Sequence, residues 1–430
     1  MPSPISPVSR RRVLHDIGLV LTCLGLPHPV RAETAPSQAP DRVRILRAQP
    51  GIAFLGGPGP ASTAIWGYEG AVPGPALRVK RGDEVSVRLI NDLPEPTAIH
   101  WHGVRLTNAM DGAPPLTQRP IRPGETFDYR FTAPDAGTFW YHAAAPAQTG
   151  RGLSGVLIVD ENEPTNAGRD VALMLQDWRP EPVESSTNGF FPTVNGGPTL
   201  DIPVVQGERF RLRLINASSR LLPRIQIAPM RAWVMAIDGQ PAEPFIARDS
   251  QIALGPGNRI DLYVDPTFEA GEIAPIMMEF ERKRVPIARL VAETPPPRRR
   301  EALPDPKPLP ANALPERMDF RGALRLDVPI ESSATDALAP APLFSIKRGR
   351  TAMLALINRT GGAHAVHLHG HHVRLLDRLD DGWKPFWLDT ILVDARATAR
   401  IAFVADNPGK WLIDGRAPAP TGMTGWFEVT

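Results

Sequence analysis

One turn-then-strand unit recurs three times along this chain, once in each third of its length, and it restricts the fold more than any other feature. Val79-Lys80-Arg81-Gly82-Asp83 leads into Val87-Arg88-Leu89-Ile90-Asn91, Val205-Gln206-Gly207-Glu208 leads into Leu212-Arg213-Leu214-Ile215-Asn216, and Ile346-Lys347-Arg348-Gly349-Arg350 leads into Leu354-Ala355-Leu356-Ile357-Asn358. A single glycine turn before an apolar strand is common. Three copies, each ending in Asn, predict three structurally equivalent domains in sequence. The 430 residues are too many for one core and fit that count.

The segments around these units are short apolar runs separated by turn residues. With 49 Pro and 36 Gly the chain has few stretches able to form long helices, so an all-β protein of consecutive sandwiches is expected. Strands are predicted at Ala76 to Val79, Glu84 to Ile90 and Thr126 to Phe131 in a first unit over 40–165. Val171 to Leu175, Arg209 to Ile215 and Arg259 to Val264 mark a second over 168–292. Ala352 to Ile357, Ala365 to His369 and Arg400 to Phe403 mark a third over 318–430. Between the last two, residues 293–317 contain Pro295-Pro296-Pro297-Arg298-Arg299-Arg300 and then Pro304, Pro306, Pro308 and Pro310, a composition that predicts an extended surface linker.

The N-terminus has the form of an export leader: Arg10-Arg11-Arg12, an apolar run from Ile17 to Leu26, and a small-residue site ending at Ala32. Its arginine pair has the twin-arginine form, so cleavage near residue 32 and a periplasmic location are expected. No stretch approaches the roughly 18 apolar residues of a spanning helix, and no transmembrane helix is predicted in the mature chain. Loss of residues 1–32 removes four arginines and one aspartate and leaves 44 basic against 45 acidic residues. That balance gives no electrostatic footprint for nucleic acid. The single cysteine, Cys23, falls inside the leader, so the mature chain has neither a disulfide nor a thiolate ligand.

Ten histidines are present, and after His15 and His28 of the leader the remaining eight occupy three places: His100-Trp101-His102, Tyr141-His142, and the run from His364 to His372. In a strand, residues i and i+2 face the same side, so His100 and His102 project together, as do His367 and His369. Two such strands across an interface would present four imidazoles to one cavity, a donor set suited to copper or zinc.

His100-Trp101-His102-Gly103, Trp140-Tyr141-His142 and His364 through Gly370 resemble three of the four copper-binding signatures of the laccase-type multicopper oxidases. Asn108-Ala109-Met110-Asp111-Gly112, Gly152-Leu153-Ser154-Gly155, Val194-Asn195-Gly196 and Pro256-Gly257-Asn258-Arg259-Ile260-Asp261 also match in order. The resemblance implies three consecutive cupredoxin-like Greek-key β-sandwich domains, with copper held between the first and third. It implies that His100 and His367 bind a type 2 copper, that His102, His142 and His369 belong to a type 3 pair, and that His364 is a relic type 1 ligand. Asp111 would hydrogen-bond water beside the cluster and relay protons.

The ligand set is degenerate. The second motif, His-Ser-His in that family, reads His142-Ala143-Ala144, and the fourth, His-Cys-His, is replaced after Trp411 by Leu412-Ile413-Asp414-Gly415-Arg416, with Met423 further on. The expectation is one copper ion, type 2 in character, no type 1 centre, and no ordinary laccase cycle. Dioxygen or a small reductant is the implied small-molecule partner. The leader and the broken motif also resemble the copper-free cell-division branch of the same superfamily, which implies the alternative of a non-enzymatic scaffold with a periplasmic protein partner.

Overall fold

In the computed structural model, residues 43–56, 62–179, 190–227, 230–267, 271–293, 303–331, 338–376, 386–416 and 424–430 are described. The leader with Cys23, the arginines 298–300 and Met423 lie outside them. The described chain is almost entirely β, and its strands form six sheets that pair as three sandwiches.

The three sandwiches share one topology. In each, an opening strand runs parallel to the strand of the repeated unit: Arg44–Ala53 beside Glu84–Asn91, Arg169–Trp178 beside Phe210–Asn216, and Leu324–Ile330 beside Thr351–Asn358. The unit strand then pairs antiparallel with Thr126–Thr132, Arg259–Asp265 or Thr398–Val404. Each opposite sheet repeats the pattern, with Gly74–Lys80, Leu200–Val204 and Phe344–Ile346 parallel to Ser154–Asp160, Lys283–Ala292 and Thr424–Val429. Parallel neighbours separated by other strands require crossovers between the two sheets, as in a Greek-key sandwich.

The repeated unit folds the same way each time, for identifiable reasons. Gly82, Gly207 and Gly349 all take positive φ (93°, 75° and 83°), where a side chain would be strained. Their N–H groups donate to Ala133, Pro266 and Ala405 at matching places. Each unit ends on a buried Asn whose side-chain oxygen accepts the N–H two residues on, from Leu93, Ser218 or Thr360. The amide nitrogens donate to Glu95 and Ile121, to Leu221 and Leu254, and to Gly362, Val393 and Asp394. Each Asn, itself buried, therefore satisfies a loop's backbone groups internally.

One continuous apolar cluster runs through the first and third sandwiches, from Leu46, Trp101 and Tyr141 to Leu356, Trp411 and Phe427. The second sandwich has its own core around Leu173, Leu214, Ile225 and Leu262 and joins the first through a smaller apolar cluster, Trp140, Val156 and Ile158 against Met174, Ile215 and Ala217, and through charge. Arg78 pairs with Asp160 at 2.7 Å and Asp170 at 3.0 Å, while Arg213 pairs with Asp170 at 2.6 Å and donates to Thr138 at 2.7 Å. Residues 303–312 have no regular structure, but Leu309 is buried against Trp233 and Tyr263, and the Asn312 side chain bonds to Ala136 and Gln240. This part of the connection is docked along the sandwiches.

Replacing Asn358 by Ala strips a partner from the buried Val393 carbonyl, the part-buried Gly362 and Asp394 carbonyls and the Thr360 N–H, and should lower unfolding free energy by about 2 kcal/mol in a urea melt; no loss would contradict the internal-capping role. Burial would raise the Asp170 carboxyl, but Arg213 and Arg211 bring it down to about 2. Because the folded pKa lies below that of the unfolded chain, this stabilisation is complete above about pH 4 and lost as pH falls towards 2. It amounts to about 2 kcal/mol, so Asp170→Asn should flatten the acid limb of stability between those pH values.

Candidate metal centre

The histidines lie on equivalent strands of the first and third sandwiches. Ile99–His102 pairs antiparallel with Gly137–Ala143, setting His100 opposite His142 and His102 opposite Trp140. His364–Leu368 lies between Thr390–Val393 and Gly409–Arg416, setting His367 opposite both Thr390 and Asp414. The corresponding strand of the second sandwich is Arg224-Ile225-Gln226-Ile227, which carries no imidazole. Strand alternation turns His100, His102 and His367 to the interface, where His142 and His369 join them, all within 3% of full burial. Three overlapping groups could each hold an ion: His100/His367/His369, His100/His102/His142 and His102/His367/Asp389.

The hydrogen bonds fix the tautomers. His100 Nδ1 donates to the Asp111 carbonyl at 2.9 Å and His367 Nδ1 to the Asp389 carbonyl at 3.0 Å. A carbonyl only accepts, so both Nε2 atoms are left as lone-pair acceptors, and they face each other at 3.2 Å. A second pair of acceptors lies alongside. Thr390 donates its hydroxyl to Asp389 and so receives His102 Nε2–H at 2.9 Å, which turns the His102 Nδ1 lone pair towards His142 Nε2 at 3.4 Å. His142 Nδ1 donates to the Ala143 carbonyl. Arg416 donates to His142 Nε2 at 3.0 Å.

Two facing lone pairs without a hydrogen between them call for a cation. Burial, then His369, lowers the His100 pKa, and burial brings His367 down to about 4, so protonation of either is disfavoured at neutral pH. Neutral imidazoles so arranged fit a copper ion, since one ion can bond both nitrogens at roughly 2.0 Å. His369 differs: burial opposes its charge, yet the carboxylates of Asp111, 2.9 Å from Nδ1, and Asp414, 3.5 Å from Nε2, raise it to about 9. Burial likewise opposes ionisation of Asp111, and His369 and His100 hold its carboxyl well below the usual range.

Behind the histidines a buried ionic group ties the second sandwich to the third. Arg259 donates to both carboxylate oxygens of Asp389, at 2.8 and 2.5 Å, and Asn258 donates to the Thr390 carbonyl at 2.9 Å. Burial and the neighbouring Asp389 push Asp238 up to about 7. Gly103, at φ +83°, makes room for this group, since a Cβ there would lie 2.2 Å from the Arg259 guanidinium. Asp389, Thr390 and Asp238 carry no signal in residue spacing. Asp389 and Thr390 reach the site because Thr390–Val393 is the neighbouring strand of His364–Leu368, and Asp238 reaches it from the end of Arg231–Ile237 in the second sandwich, where its carboxylate accepts the Asp389 and Thr390 N–H groups.

The structure brings His100, His102, His142, His367, His369 and Asp111 together. His364 stands apart, with Nε2 on the Thr360 hydroxyl at 2.8 Å and its Nδ1 without a partner. His371 packs among Phe403, Trp411 and Phe427, and His372 lies against Gln240 and Asp238.

Multicopper oxidase family models match residues 56–164, 159–272 and 311–428, and the chain belongs to the multicopper oxidase family. It is 35% identical to the crystal structure of a multi-copper oxidase from Pseudomonas thermotolerans, covering 90% of this chain and 99% of that one with a TM-score of 0.79. Lac15 from a marine microbial metagenome is 33% identical over 91% of this chain and all of its own, at a TM-score of 0.78. Multicopper oxidase MmcO of Mycobacterium tuberculosis is 29% identical, covering 90% of this chain and 84% of that protein.

Replacing Arg259 by Met leaves Asp389 and Asp238 as adjacent buried carboxylates without their guanidinium. The expected cost is about 3–5 kcal/mol in a denaturant melt, with copper affinity weakened about 10–100-fold through loosened histidines. An unchanged melt and an unchanged copper titration would show that the pair does not support the site.

Proposed function

We propose that this protein is an exported copper-binding member of the multicopper oxidase family that holds one type 2 copper ion between its first and third sandwiches and does not run a laccase-type cycle. The observation that carries the reading is the pair of opposed Nε2 lone pairs of His100 and His367, 3.2 Å apart, each fixed by a backbone carbonyl behind it. His102, His142 and His369 complete the residual cluster around them. His364 is a relic of a type 1 site. A blue copper centre depends on a thiolate, and the only cysteine is Cys23. With Asp414, Gly415 and Arg416 after Trp411, the chain has no sulfur route for electrons into the cluster.

A copper ion bound at His100 and His367 supplies one-electron redox chemistry and Lewis acidity. The protein's residues set the terms. Asp111 orients His369 and would move protons at its Nδ1, while Asp389 and Thr390 orient His367 and His102. Dioxygen or a small reductant is the partner such a site would meet. The twin-arginine form of the leader supports a periplasmic location, reached by cleavage near residue 32.

The leaderless protein should bind one copper per chain, with the paramagnetic spectrum of a type 2 site and no intense blue absorption. His100→Ala and His367→Ala should each abolish uptake, whereas His371→Ala should leave it intact. A protein that takes up no copper, or whose uptake survives loss of both His100 and His367, would exclude this reading.

A further inference from the structure

Of the two facing acceptor pairs in the cluster, one is open and the other is already capped. His102 Nδ1 and His142 Nε2 converge at 3.4 Å much as His100 and His367 do at 3.2 Å. The second pair differs in having the Arg416 guanidinium 3.0 Å from His142 Nε2. Arg416 ends the strand Gly409–Arg416, with Asp414 two residues earlier on the same face, and sits opposite Ala365 in register. Its guanidinium also stacks near Trp140, 5.3 Å from the ring centroid, and Trp140 in turn packs on both His102 and His142.

We propose that Arg416 is a built-in cation occupying the position of a second metal ion, so that it fixes the metal count of this cluster at one. The argument is electrostatic. Two neutral imidazoles aimed at one point need positive charge there, and a guanidinium provides a permanent one together with directed N–H donors. An ion added at His102 and His142 would have to displace that donor and accept a like charge at close range in a buried site. The third group, His102 with His367 and Asp389, is closed for a different reason: Asp389 is bonded through both oxygens to Arg259, and His102 Nε2 is used on Thr390. Only the His100 and His367 arm, with His369 beside it, stays available.

The inference rests on the copper reading for that first arm and adds that the metal count is set by a residue that binds no metal. Replacing Arg416 by His removes the cation and supplies a third imidazole to His102 and His142, a complete donor set for one ion.

Copper per chain and spin quantitation should double, from one to two, in Arg416→His, and return to one when His142→Ala is added. Arg416→Lys, which keeps the charge, should stay at one. Arg416→Gln, which removes the charge and leaves every imidazole in place, should likewise raise the count above one; this measurement stands even if Arg416→His fails to fold. The proposal is overturned if folded Arg416→His stays at one, if the native chain binds two, or if Arg416→Gln stays at one. A native chain that binds none removes the copper reading instead, and a single ion gained by Arg416→His and lost with His142→Ala would then uphold the role of Arg416 by itself.

Discussion

The site depends on one buried ion pair, Arg259 with Asp389. Arg259 comes from the second sandwich and Asp389 from the third, and both side chains are completely buried. Charges so placed are costly unless every donor and lone pair finds a partner. Here they do: Arg259 also donates to the carbonyls of Thr138 and Gly257, and Asp389 also accepts from Thr390. The pair locks three sandwiches together, since Thr138 belongs to the first. It also holds Asp389 and Thr390 where their carbonyl and hydroxyl oxygens choose the tautomers of His367 and His102.

Tautomer choice is what turns a group of histidines into a metal site. An imidazole exposes one lone pair when neutral, and which nitrogen carries it depends on the other's hydrogen bond. Backbone carbonyls of Asp111, Ala143 and Asp389 take the Nδ1 protons of His100, His142 and His367, and the Thr390 hydroxyl takes the Nε2 proton of His102. Four lone pairs therefore converge in two pairs. His369 is the exception, because it faces carboxylates on both sides, which raise its pKa to about 9.

The same strands in the second sandwich show what the repeat leaves free. Arg224–Ile227 has the position of Ile99–His102 and His364–Leu368 but contributes Ile225 and Ile227 to its own core. The scaffold tolerates either chemistry because the turn glycines and the buried asparagines carry the fold, while the face of this strand is decided by what it packs against. A repeated architecture can thus place histidines on two of three copies without altering any sheet.

Much of this was legible in the sequence because its signals are local. The turn glycine and terminal Asn of each unit, the period-two spacing of His100 with His102, and the run from His364 onward state strand, face and chemistry within a few residues. The clustering of eight histidines in three places announced the interface before any contact was known. Tertiary structure decided the rest, for reasons of distance in the chain. Arg259 meets Asp389 across 130 residues, and Arg416 meets His142 across 274. Sequence could say that Arg416 stands where an imidazole is missing; only the packing of the two sandwiches determined that its guanidinium turns to His142, because the direction of a long side chain is set by the partners that burial leaves within its reach.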